Sequence, residues 1–252
     1  MNILIDNITI KIRDNLQQQD MDVVNEVIAG DCYKVCDLPI PIHSVIDVGA
    51  HIGTFALKVH ERQPHAKIIC IDIEEDNIDL CKINVDEFAN VVHAAATYVK
   101  GPLRLFSCMF GESKATCGSF ISMSTELGNY QSQDKDKSIY LLEKQGMGLP
   151  VDYMIKELDI PRLTIENIMN TYGFETLDLL KLDCEGSELS ILENCSCIEK
   201  IGVIIGEWHD KNKFHEIVEK RFDTKKWAID YLSPANELGI FRLTQRKWHN
   251  MN

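Results

Sequence analysis

Apolar positions along this chain follow two rhythms that alternate over most of its length. Short, nearly continuous apolar runs at 45–49, 67–72, 91–97, 177–183 and 201–207 predict strands buried on both faces. Between them, apolar residues recur every three to four positions, as in Ile78, Cys81 and Val85, which predicts helices over 53–62, 77–88, 164–172, 187–194 and 213–221. Repeated strand, helix, strand order predicts an α/β fold: a mostly parallel sheet with right-handed crossovers and helices on both faces. Residues 3–12 read as a hairpin turning at Asp6-Asn7, with a helix near 20–29 behind it, so residues 1–40 form an N-terminal extension. Strands near 226–232 and 238–244 complete the pattern. The rhythm breaks between 99 and 150, where an extra strand at 103–106 precedes a polar, Gly- and Ser-bearing segment. That segment, 107–150, reads as a lid or substrate insertion in a single domain spanning 1–252.

Composition narrows the choice of partner. The 252 residues, 45% apolar, supply one full core, while a net charge of −13 without clustered Lys and Arg argues against nucleic acid. A small or neutral substrate fits better. No run reaches 18 apolar residues and Met1 opens no signal-peptide core, so a cytoplasmic protein without a membrane span is expected. The nine cysteines contain no Cys-x-x-Cys and read as free thiols in a reducing compartment.

Candidate chemistry sits where strands end. Val45 to Gly53 is a strand feeding a glycine turn and a helix N-terminus, the place where open α/β sheets receive nucleotide-like ligands. Asp47 ahead of Gly49 and Gly53 departs from the Gly-x-Gly-x-x-Gly pattern of pyrophosphate binders. A carboxylate there repels phosphate and welcomes a cation, as S-adenosylmethionine offers with its ammonium and sulfonium. Asp72 ends the next strand, where a carboxylate accepts ribose hydroxyls. Two later strands run out into acids, Asp183 with Glu185 and Glu207 with His209. Period two places each pair on one side of its strand, gathering acids and an imidazole suited to general-base work.

These motifs resemble the FkbM-type family of S-adenosylmethionine-dependent methyltransferases. The resemblance rests on Asp-Val-Gly-Ala-His-Ile-Gly with Phe55, on the strand-end acid and Asn77, on Lys-Leu-Asp-Cys-Glu-Gly-Ser-Glu, and on Gly-Glu-x-His at 206–209. It spans roughly 20–210 and departs at Ile71-Asp72-Ile73, where the family often has an aromatic residue and Glu-Pro. The resemblance implies a class I methyltransferase (Rossmann-like) fold with seven strands and an antiparallel edge hairpin. It implies that Asp47, Gly49, Ala50, His51 and Gly53 line the methionine part of S-adenosyl-L-methionine and that Asp72, with Asn77, holds the ribose. Asp183, Glu185, Glu207 and His209 would face the methyl group, with His209 as base toward a hydroxyl of a small-molecule, sugar, natural-product or modified-peptide acceptor. N-methylation of a peptide or amide, a nicotinamide-dependent oxidoreductase and a non-catalytic cofactor-binding module are the competing readings. A metal-assisted variant is a further one, although the loose spacing of the possible ligands favours a metal-free site.

Overall fold

The computed structural model describes the chain except residues 39, 99, 101–102, 111–112, 115–119, 123–151, 186, 234–238 and 251–252. For 104–110, 113–114, 120–122, 152–157 and 249–250 it describes the backbone alone. Strands β1 (Asn2–Ile5) and β2 (Ile8–Lys11) form the expected hairpin, with Asp6 and Asn7 at φ 48° and 66°. Both residues tolerate the left-handed region that a tight hairpin turn requires. Helix α1 (Gln17–Val24) begins three residues earlier than expected and runs into a wide turn over Asn25–Ala29.

Alternating units follow: β3 (Ser44–Val48), α2 (Thr54–Arg62), β4 (Lys67–Asp72), α3 (Glu75–Val85), β5 (Ala89–His93) and β6 (Ala95–Ala96). The single strand expected at 91–97 is therefore two. After Ala94 the chain leaves the main sheet and β6 pairs with β11 (Arg162–Leu163). Strand β7 (Leu103–Phe110) pairs in a smaller sheet with β8 (Ser113–Lys114), β9 (Phe120–Ser122) and β10 (Asp152–Leu158). Most of the expected lid lies outside the described residues. The chain continues with α4 (Ile165–Tyr172), β12 (Leu177–Leu182), α5 (Ser187–Asn194), β13 (Ile201–Trp208), α6 (Lys211–Arg221), β14 (Trp227–Tyr231) and β15 (Gly239–Gln245).

The main sheet has the order β14-β15-β13-β12-β3-β4-β5, with β15 antiparallel to β13 and to β14 and the rest parallel. Counted in chain order, its strands run three-two-one-four-five-seven-six, the class I methyltransferase arrangement. Alternate residues feed two cores. Val45, Ile68, Leu179 and Val203 pack toward α2 and the N-terminal extension, whereas Ile46, Ile69, Leu180 and Ile204 pack with residues of α4, α5 and α6. Strand order reverses at β3, with β4 and β5 added on one side and β12 and β13 on the other, and at such a switch point a crevice opens outside the carboxyl ends of the strands. No helix among the described residues is long and apolar enough to cross a membrane.

Candidate active site

Asp47 and Lys181 face each other across the switch point, because β3 and β12 pair in parallel with these two residues in register. Asp47 is wholly buried, and the Lys181 ammonium lies 3.3 Å from its Oδ1. That contact falls outside hydrogen-bond geometry, so both Asp47 oxygens are buried without a hydrogen bond. Burial pushes the Asp47 carboxyl up, with Lys181 opposing. Burial works against the Lys181 charge too, but Asp47 and Asp183 outweigh it and hold the ammonium above its ordinary pKa. The ammonium also donates to the carbonyl of Gly49 at 2.6 Å and stands 3.5 Å from Asp183. Asp47 is expected to meet the ammonium of the ligand, and a cation of the chain itself, Lys181, also stands beside it. Nothing but a lysine inside an apolar run announced it.

The glycine turn is shaped by close approach. Gly49 has φ 77°, and a Cβ there would come 1.7 Å from the Asp183 carbonyl oxygen. The amides of Gly49 and Ala50 donate to Ile71 O at 2.9 and 3.0 Å, and that of His51 to Asp72 Oδ2 at 2.8 Å. Asp72 Oδ1 accepts from the Glu74 amide at 2.9 Å and from Asn77 at 3.3 Å. A carboxylate offers about four acceptor positions, so roughly one remains for a ligand hydroxyl. Burial raises the Asp72 pKa despite these donors. The N-terminal extension ties in as well. Arg13 donates to buried Asp20 at 2.9 Å and to Asn77 at 2.5 Å, and the His51 ring lies 3.8 Å from Asp20. Arg13 and Asp20 carry no motif that would have marked them.

At the neighbouring edge the structure brings Asp183, Glu185, Glu207 and His209 together. Strand β12 stops at Leu182 and Glu185 turns left-handed at φ 53°, so turn geometry, not period two, carries Glu185 to His209. His209 Nε2 lies 3.2 Å from Glu185 and 3.9 Å from Glu207, while Nδ1 lies 2.9 Å from wholly buried Glu188. Glu188 looks in the sequence like a helix-starting acid, and its role shows only in three dimensions. Tyr33 of the extension donates to Asp183 at 2.7 Å. Burial opposes the His209 charge, but Glu188 and Glu185 push its pKa up to about 12. Burial, with Asp183 next, pushes Glu207 up to about 7. Burial would also raise Asp183, yet Lys181, His209 and Tyr33 hold it below the usual range.

A family model described as the Methyltransferase FkbM domain matches residues 47–225, from the glycine turn through the His209 edge. The chain belongs to the FkbM methyltransferase family. Methyltransferase sdnD of Sordaria araneosa is 26% identical over 179 residues, 68% of this chain and 67% of that protein. The AMB antimetabolite synthetase AmbE of Pseudomonas aeruginosa is 24% identical over 208 residues, covering 75% of this chain, which spans 9% of that much longer protein. Precorrin-6y C5,15-methyltransferase from Geobacter metallireducens superposes with TM-score 0.43 at 9% identity, over 86% of this chain and 88% of that one. The plantazolicin methyltransferase BpumL superposes at 0.42 and 10% identity, over 92% and 87%. Membership of this methyltransferase family implies S-adenosyl-L-methionine as the methyl donor. The strand-end acids Asp72, Asp183, Glu185 and Glu207 fit a ligand that carries a sulfonium and an ammonium and no phosphate.

Proposed function

We propose that the chain methylates a hydroxyl of a small molecule, sugar or natural product, with Glu185 and Glu207 as the proton-accepting side of the edge cluster. The observation that carries this reading is the convergence of Asp183, Glu185, Glu207 and His209 beside the glycine turn. Both His209 ring nitrogens face carboxylates, so the ring holds those carboxylates in place and the proton-accepting role falls to Glu185 and Glu207. Glu185 and Glu207 are each about a quarter exposed at the carboxyl edge. When bound, S-adenosyl-L-methionine supplies the methyl group, whose bond to sulfur breaks as the bond to the acceptor oxygen forms. The protein positions the hydroxyl, excludes water and receives its proton. Asp72 is assigned to a ribose hydroxyl, with Asn77 fixing its orientation. Asp47 acts through Lys181, which holds the Gly49 carbonyl and hence the turn under the cofactor. Similarity to part of an antimetabolite synthetase supports a natural-product acceptor.

The test pairs binding with transfer. Calorimetry with S-adenosylhomocysteine should show affinity at least about tenfold weaker in Asp72→Asn, equivalent to ~1.4 kcal/mol. Wild-type affinity in that variant refutes the ribose assignment. Labelled methyl from the cofactor, offered to hydroxyl and amide acceptors, should appear on oxygen; label on nitrogen alone overturns the hydroxyl reading.

A further inference from the structure

We propose that Asp183, Glu207 and His209 bind a divalent cation at the carboxyl edge of the sheet, where the cation receives the acceptor oxygen. This inference rests on reading the edge as the methyl-transfer centre and adds a metal to it. One ligand atom from each of the three residues lies within 4.8 Å of the other two. Ions held at about 2.0–2.5 Å from oxygen and nitrogen donors gather them at such mutual distances.

His209 distinguishes this group from an ordinary crowd of acids. A metal-bound imidazole characteristically gives its second N–H to a carboxylate, which fixes the tautomer and aims the ligating nitrogen. That is the arrangement here, with Nδ1 2.9 Å from the wholly buried Glu188 and Nε2 turned toward Glu185 and Glu207. Charge points the same way. Asp183, Glu185 and Glu207 crowd the ring, and the ammonium in contact with Asp183, that of Lys181, is shared among Asp47, the Gly49 carbonyl and Asp183, which leaves the carboxylates in excess. A bound dication offsets that excess, displacing any proton on Nε2 to solvent. Two carboxylates with one imidazole suit Mg²⁺ or Mn²⁺ better than a soft thiolate-seeking ion. Loose spacing in sequence is no objection, because the ligands come from the ends of two adjacent strands. In the reaction, the cation polarises the acceptor hydroxyl, its O–H bond breaks and the proton passes to Glu185, which lies outside the three ligands.

Mn²⁺ is the probe. The full chain, stripped with a chelator, should bind one Mn²⁺ by paramagnetic resonance titration. Glu207→Gln should weaken that binding at least about tenfold, and Glu166→Gln, away from the edge, should leave it unchanged. A second readout needs no variant: Mn²⁺ should broaden the His209 ring resonances in NMR ahead of those of the other histidines. Absence of stoichiometric binding, equal binding by Glu207→Gln, or broadening that spares His209 overturns the metal site. Methyl transfer persisting in chelator would then leave the hydroxyl methyltransferase reading standing. Stoichiometric Mn²⁺ without methyl transfer to any hydroxyl would remove that reading while keeping the ion.

Discussion

Glu207 at the carboxyl edge and Glu166 at the start of α4 are the same residue type in opposite surroundings. Glu166 Oε1 accepts from the Ser196 amide at 2.6 Å, the Ser196 hydroxyl at 2.7 Å and the Cys197 amide at 3.2 Å, and Oε2 accepts from Tyr98 at 2.5 Å. Burial acts to raise its carboxyl, but these donors outweigh it and bring the pKa down to about 2. Glu207 instead is pushed up to about 7, by burial first and then by Asp183, Glu185 and Glu26, with His209 opposing. Glu166 also stands with Cys195 and Cys197 in a grouping of metal-ligand types, as Glu207 does with Asp183 and His209. The second grouping keeps more capacity, although Asp183 accepts from Tyr33 and His209 faces carboxylates on both sides. Donors fill the Glu166 oxygens, and the two thiols contact each other at 3.4 Å. A carboxylate surrounded by N–H and O–H groups holds structure, whereas one surrounded by its own kind waits for a proton or a cation.

Removing the charge that makes the crowded edge tolerable should have the largest effect. Lys181→Met leaves Asp47 buried and uncompensated, which costs about 3–5 kcal/mol in comparable pairs. Urea unfolding should show that loss, and adding Asp47→Asn should recover more than ~1 kcal/mol of it. Additive losses would mean that the pair is not coupled, and Asp47 would need another partner. Next comes His209→Ala, which frees the edge carboxylates to move. Turnover should fall on the order of 10²-fold, ~2.7 kcal/mol, with S-adenosylhomocysteine affinity nearly intact. Unchanged turnover would place the reaction elsewhere than at this edge.

Much of this was legible from the chain alone. Apolar rhythm located the strands and helices of the main sheet, and the acids at 47, 72, 183 and 207 are visible because strand tips punctuate apolar runs. Lys181 was hidden because its partner is set by β3–β12 register, which no local pattern encodes. Arg13, Asp20 and Tyr33 were hidden for a related reason: Tyr33 meets Asp183 across 150 positions. Glu188 shows the limit most plainly, since a carboxylate in the first turn of a helix is favoured by the helix dipole whatever else it does. Its contact with His209 depends on where β13 ends relative to α5. The departure of β6 from the main sheet was likewise invisible, because Ala94 to Ala96 reads as a continuation of the strand.

The smallest expected effect tests the other half of the contrast. Glu166→Gln keeps the shape of the side chain and weakens charge-assisted bonds to Ser196, Cys197 and Tyr98. A carboxylate partly open to solvent contributes about 1 kcal/mol through such bonds. Its folded pKa, about 2, lies below the ordinary value of 4.5. A carboxyl depressed on folding binds fewer protons in the native state than in the unfolded one at intermediate pH. Its contribution is therefore complete above about pH 4.5 and fades as pH falls toward 2. Denaturation curves for wild type and Glu166→Gln should lie apart at neutral pH and draw together in acid, with turnover at neutral pH within about twofold of wild type. Curves separated by the same amount at every pH would show that shape and packing, not the charge, hold this end of α4. The division between a donor-filled carboxylate and a crowded one would then lose its structural half.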